Sequence, residues 1–368
     1  MATTSDHGGN VFDVARELGT ASSAITDFSA SINPLGLSPL ARQAIVAALD
    51  SLVHYPDAGH RELKQALADH HGISTASVVV ANGSTELIYR IPSLLTGRRA
   101  LIVAPAFSEY LHALERQGWE TSHLVLSAAD GFELDPVRLE RALAEGYDAL
   151  YLCNPGNPSG RLYPLPLVER VYHLCRASDT FLVLDEAFMD FCEEASAKRL
   201  VAAGDNAVIL RSMTKFFAIP GLRLGYAIAN EAFSSRLGDA GAPWSVNTLA
   251  LAAGTAALRD REHCRRTIEF IREERGYLAE RLSRFPMLTV YPSGANYLLV
   301  GIADGPTARE LRDRLLPRRL LIRDCANFVG LTPRFFRIAV RTREENERLL
   351  AGLERLLTER LESTNSTK

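Results

Sequence analysis

The length, composition and charge of the chain exclude several classes of protein. Its 368 residues, of which 47% are hydrophobic and 23% charged, exceed what one hydrophobic core usually organises, so we expect two domains. A formal net charge of −3 gives no strong field for attracting nucleic acid or an anionic membrane, and a small molecule is therefore the expected partner.

The first 50 residues contain turn signals and one predicted helix. Asn33-Pro34 and Leu35-Gly36 are typical of turns, and a helix is predicted from Pro39 to Leu52. We assign residues 1–50 to a smaller domain together with residues 251–368, and residues 51–250 to a larger domain.

Short apolar runs alternate with helical stretches between residues 77 and 229. This alternation predicts a mostly parallel sheet that is covered by helices on both faces. The predicted strands are Val78 to Ala81, Ala100 to Ala104, Ala149 to Cys153, Phe181 to Asp185, Ala207 to Arg211 and Leu224 to Ala229.

A second region of mixed character follows this sheet. The alanine-rich run from Thr248 to Leu258 leads into a charged run from Arg259 to Arg284, which reads as a long helix leaving the sheet domain. The predicted strands beyond it are Leu288 to Val300, Arg319 to Asp324 and Phe335 to Val340, and the predicted helices are Thr307 to Leu316 and Glu344 to Leu361. The smaller domain is therefore expected to be α+β.

The cysteines and the N-terminus predict where the protein resides. Five scattered cysteines form no C-x-x-C pair, so no metal site is predicted and reduced thiols in a cytoplasm fit best. The polar start of the chain is unlike a signal peptide. The chain also contains no uninterrupted stretch of 18 apolar residues, so no membrane span is predicted.

Candidate site residues lie at the ends of five of the strands predicted for the larger domain. Ligands of open α/β sheets bind outside the carboxyl ends of the strands, because helices begin there with unpaired amide groups. The candidate segments are Asn82 to Glu86, Pro105 to Phe107, Asn154 to Gly160, Asp185-Glu186 and Ser212 to Lys215. One shared site explains these segments better than five separate loops.

Each candidate taken singly also has a simpler explanation. The segment from Asn82 to Thr85 fits an anion cradle, but taken alone it favours an ordinary helix N-cap. Asp185 ends a very apolar strand, where either a cationic ring nitrogen or a helix N-cap would partner its carboxylate. Lys215 taken alone fits a solvated surface lysine.

Arg223 is a further candidate, because its planar guanidinium suits phosphate.

Four linked motifs resemble, in order and spacing, those of class I and II aminotransferases. They are Asn157-Pro158-Ser159-Gly160, Asp185-Glu186-Ala187-Phe188, Ser212-Met213-Thr214-Lys215 and Arg223. The resemblance covers nearly the whole chain and implies fold type I of the pyridoxal 5′-phosphate (PLP) enzymes. That α/β fold has a mostly parallel seven-stranded sheet domain and a smaller α+β domain, usually in a homodimer with shared active sites.

Further segments are similar to the threonine-phosphate decarboxylase family of cobalamin biosynthesis, itself similar to the histidinol-phosphate aminotransferases. They are His7 to Asn10, Asp27 to Gly36, Tyr55 to Asp57, Thr214 to Tyr226 and Pro243 to Asn247. The first and the last favour the decarboxylase, which implies that O-phospho-L-threonine is converted to (R)-1-aminopropan-2-yl phosphate. A histidinol-phosphate or related aminotransferase remains an alternative, since decarboxylation and transamination use the same cofactor residues. A noncatalytic PLP-binding protein is a further alternative.

The resemblance also implies which residues bind the cofactor. Lys215 would hold PLP covalently, and Asp185 would keep the pyridine nitrogen protonated, so that the ring acts as an electron sink. Asn157 would donate to the phenolic oxygen and Phe107 would stack on the ring. The cofactor phosphate would be bound by Ser84, Thr85, Ser212, Thr214 and Arg223, and by Tyr55 of the neighbouring subunit.

The substrate side rests on two arginines. Arg337 matches the arginine that binds the α-carboxylate, and Arg323 matches the one that binds a substrate phosphate, although each also fits a solvated charge at a strand end. The other substrate-binding candidates are Asn157, His7, Asn10 and Ser31. Phe188 departs from the pattern, because many aminotransferases have a tyrosine there whose hydroxyl donates to the phenolic oxygen.

Overall fold

A computed structural model of the protein describes residues 8–365 and has three sheets. The strands are β1 (Thr26–Asp27), β2 (Val78–Ala81), β3 (Arg99–Ala104), β4 (Glu120–Val125), β5 (Ala149–Cys153), β6 (Phe181–Asp185), β7 (Ala207–Ser212), β8 (Gly225–Ala229), β9 (Leu288–Val290), β10 (Tyr297–Ile302), β11 (Leu320–Leu321), β12 (Arg323–Asp324) and β13 (Phe335–Ala339). The helices are α1 (Val11–Glu17), α2 (Pro39–Ala47), α3 (Arg61–His71), α4 (Ser84–Arg90), α5 (Glu109–Arg116), α6 (Pro136–Leu143), α7 (Leu165–Ala177), α8 (Lys198–Ala203), α9 (Met213–Phe216), α10 (Glu231–Asp239), α11 (Thr248–Arg259), α12 (Arg261–Leu282), α13 (Ala308–Leu315) and α14 (Arg343–Asn365).

The seven-stranded sheet has the order β2-β8-β7-β6-β5-β3-β4, and only β8 runs antiparallel to its neighbours. Successive side chains of each central strand enter opposite apolar clusters; in β6, Leu182 and Leu184 pack on one face and Val183 on the other. Burial on both faces explains why these strands read as continuous apolar runs. The predicted α/β fold with a mostly parallel seven-stranded sheet is confirmed.

The smaller antiparallel sheet has the order β12-β13-β10-β9, and its register sets two arginines side by side. Arg323 of β12 is the direct partner of Arg337 in β13. Two like charges at paired positions repel each other, so this register favours a site that binds anions. The two-residue strand β1 pairs in parallel with β11 and joins the N-terminal segment to this region.

The structure differs from the sequence-based prediction at several elements. Strand β4 was not predicted, because it is a partly exposed edge strand with polar side chains. The predicted helix from Pro39 ends at Ala47 rather than Leu52, since a 3₁₀ turn with exposed Leu49, Leu52 and Val53 replaces its last part. The predicted strand from Leu288 to Val300 is two strands, β9 and β10. The division at residues 50 and 250 stays a prediction.

A charge network centred on the wholly buried Arg211 connects the carboxyl ends of β6 and β7. Arg211 donates to Glu186 at 3.0 Å and to Asp190 at 3.3 Å, and it also pairs with Glu193. Glu186 directly follows Asp185, and Arg211 directly precedes Ser212, so the network connects the two strand ends. Because each charge has a partner, this arrangement avoids the cost of an unpaired buried ion.

Two further observations concern the cysteines and the helices. All five cysteines are free, and four of them are buried. Within residues 8–365, no helix combines the length and the apolar character needed to cross a membrane.

Candidate active site

A cavity of about 230 Å³ collects residues from the carboxyl ends of the large sheet and from the smaller sheet. Sites of this kind are typical of α/β sheets, because neighbouring parallel strands end at the same edge. The predicted site residues that line it are Ser31, Ser84, Thr85, Phe107, Asn157, Asp185, Ser212, Thr214, Lys215, Arg223, Arg323 and Arg337. The strand-end segments therefore do form one site.

Lys215 lies in α9, directly after β7, and its side chain lines the cavity. The backbone N–H of Asn33 donates to the Lys215 carbonyl oxygen at 3.0 Å, which ties the N-terminal segment to this turn. Burial, together with the charges of Arg337 and Arg223, lowers the pKa of the Lys215 amine to about 8. A substantial neutral fraction near neutral pH makes this amine a competent nucleophile.

Asp185 is the last residue of β6, and only 5% of it is exposed. Its Oδ1 accepts the backbone N–H of Ala187 at 2.9 Å, and its Oδ2 accepts the hydroxyl of Tyr110. Burial raises the pKa of this carboxyl above its ordinary value, while Tyr110, Ala187 and the charge of Lys215 oppose the rise. Among the described residues it has no ion-pair partner within 4.0 Å, so a cationic ring nitrogen would supply what the site lacks.

Hydroxyl groups and one arginine form a phosphate-sized cradle beside Lys215. The hydroxyls of Ser212 and Thr214 lie 2.8 Å apart, and Ser84 and Thr85 begin α4 on the same side of the cavity. The Arg223 guanidinium lies against Gly83, where a Cβ would come within 2.8 Å of Nη2. Glycine is needed at this position because its φ of +83° also lies in the left-handed region.

Arg337 is held from two sides. Its Nη1 donates to Asn157 Oδ1 and its Nη2 donates to the carbonyl oxygen of Ser29 at 2.9 Å, while the guanidinium lies 5.0 Å from the ring centroid of Tyr297. Within the part of the chain that the structure describes, its buried Nε has no hydrogen-bond partner. Arg337 is thus fixed in direction by two of its five N–H donors.

Arg323 and Ser31 complete the same end of the cavity. Arg323 donates to Asn327 Oδ1 at 2.8 Å, and its guanidinium lies 5.5 Å from the ring centroid of Phe328. The Ser31 hydroxyl is buried and has no partner among residues 8–365, although its carbonyl oxygen accepts from Asn296 at 3.0 Å. Since buried polar atoms normally have a hydrogen-bond partner, this unpartnered hydroxyl indicates that a polar ligand binds here.

Comparison with known proteins decides the family. Residues 23–353 match the model of the aminotransferases of class I and II. The chain belongs to the aminotransferase class I and II family. It is 43% identical to a threonine-phosphate decarboxylase of Salmonella typhimurium over 357 residues, which cover 96% of this chain and 97% of that protein.

Two of the solved structures that resemble this aminotransferase-family chain show what the fold alone can decide. The L-threonine-O-3-phosphate decarboxylase of Porphyromonas gingivalis has a TM-score of 0.79 at 30% identity and covers 90% of this chain and 99% of its own. The histidinol-phosphate aminotransferase of Clostridium acetobutylicum has a TM-score of 0.83 at 27% identity, with the same coverage. The fold alone therefore does not separate the two activities.

PLP is the cofactor of this aminotransferase-family chain, and the cavity has the groups that it requires. The Asp185 carboxylate would pair with the pyridine nitrogen, the cradle with Arg223 would bind the phosphate, and the amine of Lys215 would react with the aldehyde. Bound PLP supplies a protonated ring that accepts the electron pair released from the substrate Cα.

Among the predicted site residues that the structure describes, two do not line the cavity. Tyr55 is 80% exposed and packs on Trp244, with ring centroids 4.8 Å apart. Asn10 precedes α1, and from this segment it is Gly8 that lines the cavity. His7 lies outside the described residues. Their roles stay predictions.

Sequence reasoning missed three residues that contact the predicted site residues, and two of the three, Ser29 and Asn327, line the cavity. Tyr110 contacts Asp185, Ser29 contacts Arg337, and Asn327 contacts Arg323. Tyr110 follows Phe107 by three positions and Asn327 follows Arg323 by four, so proximity in sequence was an available signal. Ser29 acts through its backbone carbonyl, which no side-chain pattern reveals.

Proposed function

We propose that this chain is a PLP-dependent lyase that decarboxylates O-phospho-L-threonine to (R)-1-aminopropan-2-yl phosphate in cobalamin biosynthesis. The observation that carries the proposal is the pairing of Arg323 with Arg337 across β12 and β13, at one end of the cofactor cavity. A substrate with a phosphate and a carboxylate presents two anionic groups to two cations. The 43% identical decarboxylase supports the same reading.

Arg337 orients the substrate carboxylate in this proposal, and Arg323 binds the phosphate. The contacts of Nη1 with Asn157 and of Nη2 with Ser29 use two of the N–H donors of the Arg337 guanidinium. A carboxylate held by the remaining donors is bound less tightly in the ground state, which favours its departure. The phosphate contact then supplies binding energy remote from the reacting bond and fixes its orientation.

Asp185 and Lys215 supply the proton chemistry. Asp185 in its ionised form keeps a proton on the cofactor ring nitrogen, which strengthens electron withdrawal from Cα. Lys215 Nζ both releases and accepts a proton near neutral pH, because its pKa lies at about 8. It is therefore the group that we assign to proton transfer at Cα.

The experiment that tests the proposal compares two reactions of the PLP-loaded protein. One mixture contains O-phospho-L-threonine and is followed for carbon dioxide; the other contains histidinol phosphate with 2-oxoglutarate and is followed for glutamate. We expect carbon dioxide and aminopropanol phosphate from the first mixture alone. Glutamate without carbon dioxide would replace the proposal with the aminotransferase, which the TM-score of 0.83 keeps as the second candidate.

The proposal includes a homodimer with shared active sites. Several apolar side chains of the segment 46–55 are exposed, with Val46 at 64%, Val53 at 82% and Tyr55 at 80%. Exposed apolar groups that cluster in one segment favour a protein interface, and Tyr55 there would reach the cofactor phosphate of the partner. A cytoplasmic location also fits, because all five thiols are free.

Mixing two defective variants tests the shared site. Lys215→Ala lacks the cofactor lysine, and Tyr55→Ala lacks the predicted phosphate contact, so each homodimer would be impaired at both sites. A mixed dimer of the two variants contains one site with both native residues. We expect activity to rise after subunit exchange. An unchanged activity, or a single chain in sedimentation, would contradict the shared site.

A further inference from the structure

Tyr110 joins two residues on the cofactor side of the cavity without lining the cavity itself. Only 1% of this α5 residue is exposed, and its hydroxyl donates to Oδ2 of Asp185. Its ring packs edge-on against Phe107, with centroids 5.9 Å apart and an interplanar angle of 86°. One side chain therefore contacts both the predicted partner of the ring nitrogen and the predicted stacking residue.

We propose that Tyr110 is a positioning residue that sets the direction of the Asp185 carboxylate and the tilt of Phe107 towards the cofactor ring. The proposal rests on the proposed function only in requiring PLP in this cavity. With Tyr110 on Oδ2 and the Ala187 N–H on Oδ1, both carboxylate oxygens accept a hydrogen bond, so rotation about the Cβ–Cγ bond would break one of them.

The groups around Asp185 make Tyr110 a donor that does not titrate in the working range. Burial and the nearby Asp185 charge raise the pKa of the Tyr110 hydroxyl well above its ordinary value, so it keeps its proton. Cys153, at the end of the neighbouring strand, also stays neutral because burial raises the pKa of its thiol. The remaining charge facing Asp185 is that of Lys215 on α9.

Loss of the Tyr110 hydroxyl has a defined electrostatic consequence. The hydrogen bond from Tyr110 lowers the pKa of Asp185, against the burial that raises it. Without that donor, Asp185 takes up a proton at higher pH and no longer pairs with a protonated ring nitrogen. PLP affinity should therefore decline at a higher pH than in the native protein.

Tyr151 provides a matched control within the same layer. Its ring centroid lies 5.6 Å from that of Tyr110, and it is equally buried. Among the residues that the structure describes, the Tyr151 hydroxyl has no hydrogen-bond partner. Tyr151→Phe thus removes the same atom from the same core without touching Asp185.

The test measures PLP affinity of the cofactor-free protein as a function of pH, for the native chain, Tyr110→Phe and Tyr151→Phe. We expect Tyr110→Phe to bind PLP about tenfold more weakly at neutral pH, because a hydrogen bond to a charged group is lost. The decline of its PLP affinity at low pH should begin at a higher pH than in the native chain. Its kcat should decrease while KM stays unchanged. Tyr151→Phe should match the native chain throughout.

The outcomes separate this proposal from the proposed function. PLP affinity is measured without substrate, so a wrong substrate assignment would leave the affinity result intact. If Tyr110→Phe and the native chain had the same PLP affinity and lost it at the same pH, the positioning role would be overturned. The same loss in both variants would overturn it too, since it would then reflect core packing. A native chain that binds no PLP would overturn both proposals.

Discussion

The cofactor side and the substrate side of the cavity are assembled in different ways. On the cofactor side, Asp185 and Ser212 end two neighbouring parallel strands, β6 and β7, and Lys215 lies three residues after Ser212. On the substrate side, the contact between Arg337 and Ser29 joins positions 308 residues apart. The first region is local in origin, whereas the second depends on the packing of both chain ends.

The two sides also differ in how far their polar groups are already satisfied. Asp185 accepts two hydrogen bonds, Ser212 contacts Thr214, and the buried Arg211 network supports both strand ends. In contrast, Ser31 Oγ and Arg337 Nε lack partners among the described residues. This contrast indicates that the cofactor side is preorganised, while the substrate side completes its hydrogen bonds with the ligand. Changes on the two sides should therefore affect different measured quantities.

The largest effect is expected from Lys215→Ala. Removal of the only cavity lysine among the described residues should abolish the absorbance band of covalently held PLP and decrease kcat by at least about a thousandfold. Absorbance spectra and carbon dioxide release measure the two effects. Lys64→Ala, outside the cavity, is the control and should leave both unchanged. Turnover that persists in Lys215→Ala would contradict the assignment.

Arg211→Leu tests whether the cofactor side depends on buried charge pairing. The change leaves Glu186 and Asp190 without their cation, and the free energy of unfolding should decrease by about 3–5 kcal/mol. Urea denaturation measures this loss. Arg265→Leu removes only exposed ion pairs with Glu262 and Glu269, which solvent screens, so little change in the free energy of unfolding is expected. Equal losses in the two variants would show that the buried network has no special importance.

Arg323→Leu tests the substrate side. We expect KM for O-phospho-L-threonine to rise about a hundredfold, because a charge-assisted contact with phosphate is lost, while the PLP spectrum stays unchanged. The exposed Arg334→Leu serves as the control. Activity on L-threonine, which lacks the phosphate, should be equally low in the native chain and in Arg323→Leu. If the activity on both substrates decreased by the same factor, the effect of Arg323 would not come from a contact with the substrate phosphate.

The smallest effect expected is a pH shift that connects the two sides. The rate of PLP capture by the cofactor-free protein should rise about tenfold per pH unit and level off above about pH 8, as the Lys215 amine becomes neutral. Arg337 is among the charges that lower this pKa, so Arg337→Leu should move the midpoint to higher pH. Stopped-flow absorbance measures the rate. A midpoint that stays in place would show that the two sides are electrostatically independent.

The amino-acid sequence alone determined the central sheet and the cofactor groups. Strands β2, β5 and β6 have the predicted bounds, because branched apolar runs between turn signals are local features. Asp185 directly follows such a run, whereas Lys215 was assigned through the resemblance of its motif to those of the class I and II aminotransferases. The edge strand β4 was missed because its half-exposed, polar side chains carry no comparable pattern.

Only the tertiary structure decided how distant groups meet. The pairing of Arg323 with Arg337 depends on the register of β12 and β13, and a shift by one residue would turn one side chain to the other face. The contact of Tyr110 with Asp185 depends on how α5 packs over the sheet. Propensity and periodicity act over a few neighbouring residues, whereas these contacts result from packing between segments far apart in the chain.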